Sequence, residues 1–438
     1  MKKSELTIVY NKLLSVNHIN NKNGNGPWAF PYYKESSKVM FSHYGWKIHI
    51  SATLVNALYI AQLFFDFLKN SNLDFKIISS IPELEKINSS NYGVSQVGKF
   101  ITIYPPQDKI YSILKKLNKL FKGIQSLKIP SDYQFLQNQC VFYRYGTLTY
   151  DYLQIDFRNK TMMPQKLPFI DFTRKRYHLL PKYYLIIRPL IQKGGAGTYL
   201  GLDLSNKHKI ILRYSIPLYD IDEFNIDKID RLNSSQDILT DLERYSEFEK
   251  VLDSFYVNDA LFLITKFVEG KNLYQILKNE CVSLHRKIKI FKNILYAFKI
   301  LKKEGIIYRD LSLKNIIVTD EDSIVLIDFE YAISITSNQV YSQAGTYGFY
   351  DHQYKKLDYS VDSFSLGSLL YYMINFKEYF EYENNMNVSA TIDDIEKRIK
   401  KTTPLPKNIQ KIYLYLNHHN DPNYNSLIKL VDNIITEQ

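Results

Sequence analysis

Between Gly305 and Ala332 the chain reads GIIYRDLSLKNIIVTDEDSIVLIDFEYA, and no other stretch narrows the possible folds as far. Asp310 is followed by Asn315 and then by Asp328, with the apolar, strand-like run Ile324 to Ile327 leading into the last. Phosphoryl transfer needs this set: a carboxylate to orient the accepting hydroxyl, an amide and a second carboxylate to hold Mg²⁺ on the nucleotide phosphates, and a rigid strand to fix them. Asp310 is the candidate base, and Asn315 and Asp328 are the candidate metal ligands. A lone Arg-Asp pair would carry little; the spacing and the flanking pattern together carry the reading.

The residues upstream fit the same chemistry. Tyr184 to Ile191, Thr198 to Asp203 and Lys209 to Tyr214 read as three strands, with the glycine turn KGGAG (Lys193 to Gly197) between the first two. Any hairpin can use a glycine run. Its place about a hundred residues before Asp310 favours Gly194, Gly195 and Gly197 as a cradle for nucleotide phosphates. Leu261 to Val268 reads as a strand and Arg286 to Lys303 as a helix leading to the Asp310 loop. Asp362, in VDSFSLGSLLYYMI, stands where a helix begins, either as an N-cap or as a support for that loop. The order of these parts resembles the protein kinases. Two departures follow: Arg213 ends the third strand where kinases have a nucleotide-contacting Lys, a swap that is not conservative at a fitted site. The helix that should supply its Glu partner offers only Glu243, or Ser235 by position, and Gln353 stands for a usual Glu further on.

The net charge of +11 is uneven: residues 1–180 hold 24 Lys and Arg against 11 Asp and Glu, and the remainder is slightly acidic. Nucleic acid, an acidic surface or a phosphorylated ligand would each answer to a basic N-terminal part, and so would a Lys-rich codon bias. Within it, Val39 to Ser51 alternates like a half-buried strand, and a period of two sets Lys47 and His49 on one face. Residues 54–68 have apolar positions at helical intervals. Phe75 to Ile78 is strand-like with Lys76 inside it, a loop runs to Gly98, and Lys99 to Pro105 and Gln139 to Thr149 are further strands, the last carrying Arg144. This is a compact α+β domain. Singly, each cation reads as a solvated strand residue and His49 as a hydrogen-bonded histidine; together they could converge on a phosphate. The loop at 20–26 and the Pro-bearing connector at 151–182 bound the domain.

These segments, GWKIHIS, LDFKIIS, GKFITIYP and FYRYGT, resemble the N-terminal phosphoserine/phosphothreonine lyase domain of class III lanthipeptide synthetases. The kinase stretch resembles the central domain of the same family, including DFE (Asp328, Phe329, Glu330) in place of DFG. Gly345 to Gly348 resembles its substrate-side GTPG. The resemblance implies Lys76 as the base that removes the Cα proton of a phosphorylated Ser or Thr and His49 as the acid that assists phosphate departure. It implies Lys47, Lys99 and Arg144 as phosphate-binding, and Tyr104 as lining the site. Neighbouring cations would push Lys76 toward a neutral amine. The family often has arginines just before YRYG; Ser131 to Tyr143 has none.

The expectation is therefore α+β: a phosphothreonine-lyase-like domain with connector over residues 1–180, then a bilobal protein-kinase-like domain over 181–438, with lobes at 183–268 and 269–438. The resemblance implies a bifunctional dehydratase in lanthipeptide (lantibiotic) biosynthesis, with ATP or GTP and Mg²⁺ as cofactors and a ribosomal precursor peptide, leader plus core, as partner. Family members usually continue into a cyclase domain, which is expected to be missing here or to belong to another polypeptide. The competing reading is a peptide-binding scaffold with a degenerate kinase domain, and a third is a lyase acting on another cell's phosphoproteins, which no secretion signal supports. The most apolar run, Leu54 to Leu68, is interrupted by Asn56, Gln62 and Asp66, so no membrane span is expected. Cys140 and Cys281 lack partners at ligand spacing, which together with the absent signal suggests a cytoplasmic protein. No nucleic-acid partner is expected.

Overall fold

The structure, a computed structural model, describes residues 3–20, 27–31, 44–147, 180, 183–222, 224–337, 345–346, 348–349, 357–376, 406–418 and 421–436. Most of the loop 20–26 and of the connector 151–182, together with Tyr347 and Gln353, lie outside these residues. The chain packs as two compact units, one of residues 1–207, 212–229 and 255–262, the other of 208–211, 230–254 and 263–438.

The first unit opens with α1 (Lys3–Val16), β1 (Ile19–Asn20), β2 (Trp28–Pro31), β3 (Tyr44–Ser51), α2 (Ala57–Leu68), β4 (Asp74–Ile78) and α3 (Ile81–Asn88). It continues through β5 (Lys99–Tyr104), α4 (Ile110–Leu120), β6 (Tyr133–Gln134) and β7 (Val141–Thr147). The seven strands form one sheet in the order β1-β2-β4-β5-β3-β7-β6. Alternation along the strands separates its two faces. Ile48, Ile50, Phe75, Ile77, Ile101, Ile103, Val141 and Tyr143 form one face and enter a single core with Ile60 and Phe64 of α2, Leu84 of α3 and Leu114 and Leu117 of α4. The other face carries the charged residues.

Two helices depart from the sequence reading. The expected loop from Ile78 to Gly98 contains α3, whose Ser80 accepts the Glu83 N–H and whose Pro82 lies in the first turn. Both are helix-starting signals, masked in the sequence by the Ser- and Asn-rich run that follows. Helix α4 buries Ile110, Ile113, Leu114 and Leu117 and leaves Lys115, Lys116 and Lys119 in solvent. Part of the basic charge is therefore the solvated face of an amphipathic helix.

After the connector come β8 (Tyr184–Gln192), β9 (Ala196–Asp203), β10 (His208–Ser215), α5 (Lys228–Asp241), β11 (Val251–Val257) and β12 (Ala260–Lys266), the strands ordered β11-β12-β10-β9-β8. Next are β13 (Lys271–Asn272), α6 (Leu273–Asn279), α7 (Leu284–Lys303), β14 (Ile306–Ile307), β15 (Ile316–Val318), β16 (Ile324–Leu326) and β17 (Ile333–Ser334). The described elements end with α8 (Ser360–Ile374), α9 (Lys407–His418) and α10 (Tyr424–Thr436). Helix α6 starts with a reciprocal capping box between Asn272 and Gln275. Helix α8 is buried on nearly every side, as the run of apolar, Ser and Gly residues that follows Asp362 requires, and α7, α9 and α10 share its core.

Candidate functional site

Strand register brings five of the sequence-flagged residues of the N-terminal sheet onto the face away from the helices. His49 of β3 pairs with Thr102 of β5, and Thr102 pairs with Lys76 of β4, so Lys76 and His49 flank one central residue. Lys47 pairs with Arg144 of β7. Lys99 joins them through a shift of register between Ile50 and Ser51, which sets Lys99 opposite Ser51, a residue of the His49 face. Without that shift, strict alternation would turn Lys99 to the core side. Tyr104, two residues after Thr102, shares the face and is half-buried.

Crowding cations in a poorly solvated place changes their protonation. Burial, then the charges of Lys47 and Arg144, push Lys76 down to about 7. Its Nζ lies 4.1 Å from the centre of the Trp28 ring. Lys99 is 1% exposed, and burial pushes it to about 7 as well, with Asp132 pulling the other way. Two amines can thus exist neutral near physiological pH.

Asp132 is the residue that the sequence reading missed. Its carboxylate bonds Nδ1 of His49, lies 3.9 Å from Nε of Arg144, and accepts from Ser131 Oγ at 2.7 Å. Burial favours its neutral form, but His49, Lys99 and Arg144 outweigh burial and hold it well below the usual carboxylate range. An ionised carboxylate only accepts, so Nδ1 of His49 carries a proton and Nε2 is left to face other partners. Burial pushes the imidazole down to about 3, aided by Lys99 and Arg144 and opposed by Asp132. His49 is accordingly neutral at pH 7 in the protein alone. No motif marks Asp132; its one signal was being the sole acid in the stretch SDYQFLQNQCVFYR.

The glycine turn between β8 and β9 belongs to the same unit, and close packing explains its composition. A Cβ on Gly194 would lie 2.4 Å from Val97, and one on Gly195 would lie 2.2 Å from Tyr219. A Cβ on Gly197 would meet Tyr199 and Tyr214 at 2.8 Å. The Gly194 N–H donates to Ser90 Oγ at 2.9 Å, and Val97, Leu127, Ala196 and Tyr219 make a small apolar cluster. The turn is therefore seated against the N-terminal domain. Arg213 lies on β10, as the sequence predicts.

In the second unit Asp310, Asn315 and Asp328 come together. Asn315 Nδ2 donates to the Asp310 carbonyl at 2.8 Å and to Asp310 Oδ2 at 3.1 Å. Thr346 Oγ1 donates to Asp310 Oδ1 at 2.8 Å. Burial, then the charge of Asp328, push the Asp310 carboxyl up to about 7 against these bonds. Asp362 settles as a support for the loop, since its two oxygens accept the N–H groups of Tyr308 and Arg309 at 2.8 Å and it makes no cap for α8. Asp328 has φ +68, and its N–H donates to Glu249 Oε1 at 2.6 Å.

The donor set of this site fits magnesium. With its amide N–H groups turned to Asp310, Asn315 has Oδ1 to offer, and Asp328 adds a carboxylate. Among the described residues no group of three or more His, Cys, Asp and Glu forms a metal cage. Mg²⁺ usually takes one or two protein carboxylates and completes its shell with nucleotide phosphates and water. Neither position expected for the glutamate of the small-lobe helix puts one on that helix: Ser235 is buried on α5, and Glu243 follows its end. The buried charge on α5 is Arg231.

The fold and the Asp310 site define a protein kinase domain, and residues 222–438 match the family described as protein kinase domain. Residues 18–167 match the family described as RamC, N-terminal domain. A RamC-type N-terminal domain followed by a protein kinase domain bears out the resemblance of the chain to class III lanthipeptide synthetases. A probable SapB synthase of Streptomyces coelicolor is 25% identical over 328 residues, 66% of this chain and 35% of that protein. A probable serine/threonine-protein kinase of Clostridium perfringens is 30% identical over 168 residues, 37% of this chain and 24% of that protein. Serine/threonine-protein kinase D of Synechocystis is 25% identical over 217 residues, 46% of this chain and 42% of that protein. The chain thus spans less than half the length of each. Protein kinase domains in general use nucleotide and Mg²⁺, and no helix among the described residues is long and apolar enough to cross a membrane.

Proposed function

We propose that this chain carries out the dehydration step of lanthipeptide biosynthesis on a ribosomal precursor peptide. The kinase domain transfers the γ-phosphoryl group of ATP or GTP to a peptide Ser or Thr. Asp310 orients the hydroxyl and accepts its proton, Asn315 and Asp328 would hold Mg²⁺, which would neutralise charge on the phosphates, and Gly194, Gly195, Gly197 and Arg213 would serve the nucleotide. The N-terminal domain, residues 1–180 with the connector, then eliminates the phosphate. Lys76 takes the Cα proton, the C–H electrons form the Cα=Cβ bond, and the Cβ–O bond breaks. Phosphate leaves with a proton from His49, and the product is dehydroalanine or dehydrobutyrine. Phosphorylation serves to replace hydroxide, a poor leaving group, by a good one.

The observation that carries this reading is the convergence of Lys76, His49, Lys47, Lys99 and Arg144 on one sheet face, with Lys76 near neutrality. A neutral His49 is no acid. A phosphate dianion held by Lys47, Lys99 and Arg144 brings negative charge beside Nε2 and raises the imidazole toward its protonated form. The test is to incubate the chain with nucleotide, Mg²⁺ and a Ser/Thr-rich peptide encoded beside its gene. Masses lowered by successive waters are expected, and a peptide whose mass is unchanged would sink the proposal.

Asp132→Asn tests the His49 pair. Elimination from a phosphopeptide is expected to fall roughly 10- to 100-fold, in line with the loss of a group that orients another. The pH profile adds a readout that simple loss of fold does not give. Asp132 raises the His49 pKa and does not figure among the influences on Lys76. Removing it should move the high-pH limb, set by His49 losing its proton, to lower pH while the rising limb near pH 7 stays. An unmoved high-pH limb excludes the pairing from catalysis.

A further inference from the structure

Helix α5 carries Arg231 in its first turn, and the Arg231 Nε donates to Glu330 Oε1 at 3.1 Å. Both side chains are 7% exposed, and the guanidinium also lies 5.4 Å from the centre of the Tyr331 ring. Glu330 closes a segment pinned at three successive residues. The Asp328 N–H is held by Glu249, which is 3% exposed. The Phe329 ring is fully buried, edge-on to Phe248 at 5.8 Å and Tyr308 at 5.0 Å. The Glu330 carboxylate is held by α5.

Asp328 itself sits at φ +68, where a residue with a Cβ is uncommon and strained. Such a conformation persists only when its surroundings over-determine it. The three anchors are those surroundings, and each acts on a different atom set: a backbone N–H, an apolar ring and a charged side chain.

We propose that Arg231 and Glu330 are positioning residues for the magnesium ligand Asp328, with helix α5 holding the Asp328 segment through a buried ion pair whose carboxylate comes from the segment and whose cation comes from the helix. The sense of the pair is opposite to the cation-on-strand, glutamate-on-helix arrangement sought in the sequence. It rests on the kinase reading, and neither residue is assigned a contact with the nucleotide. Their effect runs through the Asp328 carboxylate, so it should be felt in metal-dependent binding and not in nucleotide binding as such.

The test uses the full chain and fluorescent N-methylanthraniloyl-ADP, titrated with and without Mg²⁺. Wild type should bind more tightly with Mg²⁺. Glu330→Gln should lose most of that enhancement, about tenfold, while its metal-free affinity stays within twofold. Glu330→Gln removes a buried counter-charge from Arg231, which can cost folding. The double variant Arg231→Met/Glu330→Met removes both charges, a change that buried pairs often tolerate. A cooperative thermal transition would establish that it is folded. Loss of the Mg²⁺ enhancement in the folded double variant supports the inference, and an enhancement equal to wild type overturns it. Wild type that binds no nucleotide at all overturns the kinase reading, and this inference with it.

Discussion

Lys76→Ala, incubated with peptide, nucleotide and Mg²⁺, is expected to return masses raised by successive phosphates where wild type returns masses lowered by successive waters. A positioned acid or base contributes about 10² to 10⁴ in rate, so elimination stalls on an assay timescale while phosphorylation continues. The protonation of Lys76 sharpens the expectation. An amine with its pKa near 7 is half neutral at neutral pH, whereas an ordinary lysine would be neutral in only about one molecule in a thousand. Elimination by wild type should therefore climb as pH rises through 7, ahead of the fall at higher pH where His49 loses its proton. Dehydrated peptide from Lys76→Ala at the normal rate removes Lys76 from the chemistry.

The complementary result is expected from Asp310→Asn and from Asp328→Asn. Each should reduce peptide phosphorylation by at least about 10²-fold, because one loses the proton acceptor and the other a metal ligand. Each should leave elimination from a chemically phosphorylated peptide at the wild-type rate, since Asp310 and Asp328 belong to the second compact unit and Lys76 and His49 to the first. The asparagine side chains keep nearly the same volume, so the change is one of charge. Phosphorylation at an undiminished rate in either variant would remove that residue from its assigned role.

What could be read from residues alone divides by how far apart the cooperating residues are. The Asp310, Asn315 and Asp328 set was legible because all three lie in one stretch whose local pattern of loop and strand fixes their spacing. Lys47 and His49 were legible as a pair because two residues on one strand share a face. Their meeting with Lys76 and Arg144 was not, because it depends on the strand order β2-β4-β5-β3-β7, which is set by tertiary packing. Lys99 was harder still, since a single register shift decides its face. No motif marks Asp132 or Arg231; their importance lies in partners 83 and 99 residues away. The glycine turn was located correctly, but steric contact with Val97 and Tyr219 gives its glycines a structural reason that no inspection of KGGAG could supply.

That turn bears on how such chains can be taken apart and recombined. A motif-based cut near residue 181 looks natural, falling in a connector between two recognisable domains. Yet Ala196 and Tyr219 on one side of the cut share an apolar cluster with Val97 and Leu127 on the other, and Ser90 serves the Gly194 amide across it. A kinase half severed there would present those side chains to water, and a hybrid assembled from two relatives would place a foreign surface under a turn with no room for even one methyl group. The unit that has to be kept together is thus larger than either motif suggests: in any recombined chain, residues 90–97 and 127 have to stay matched to 194–219.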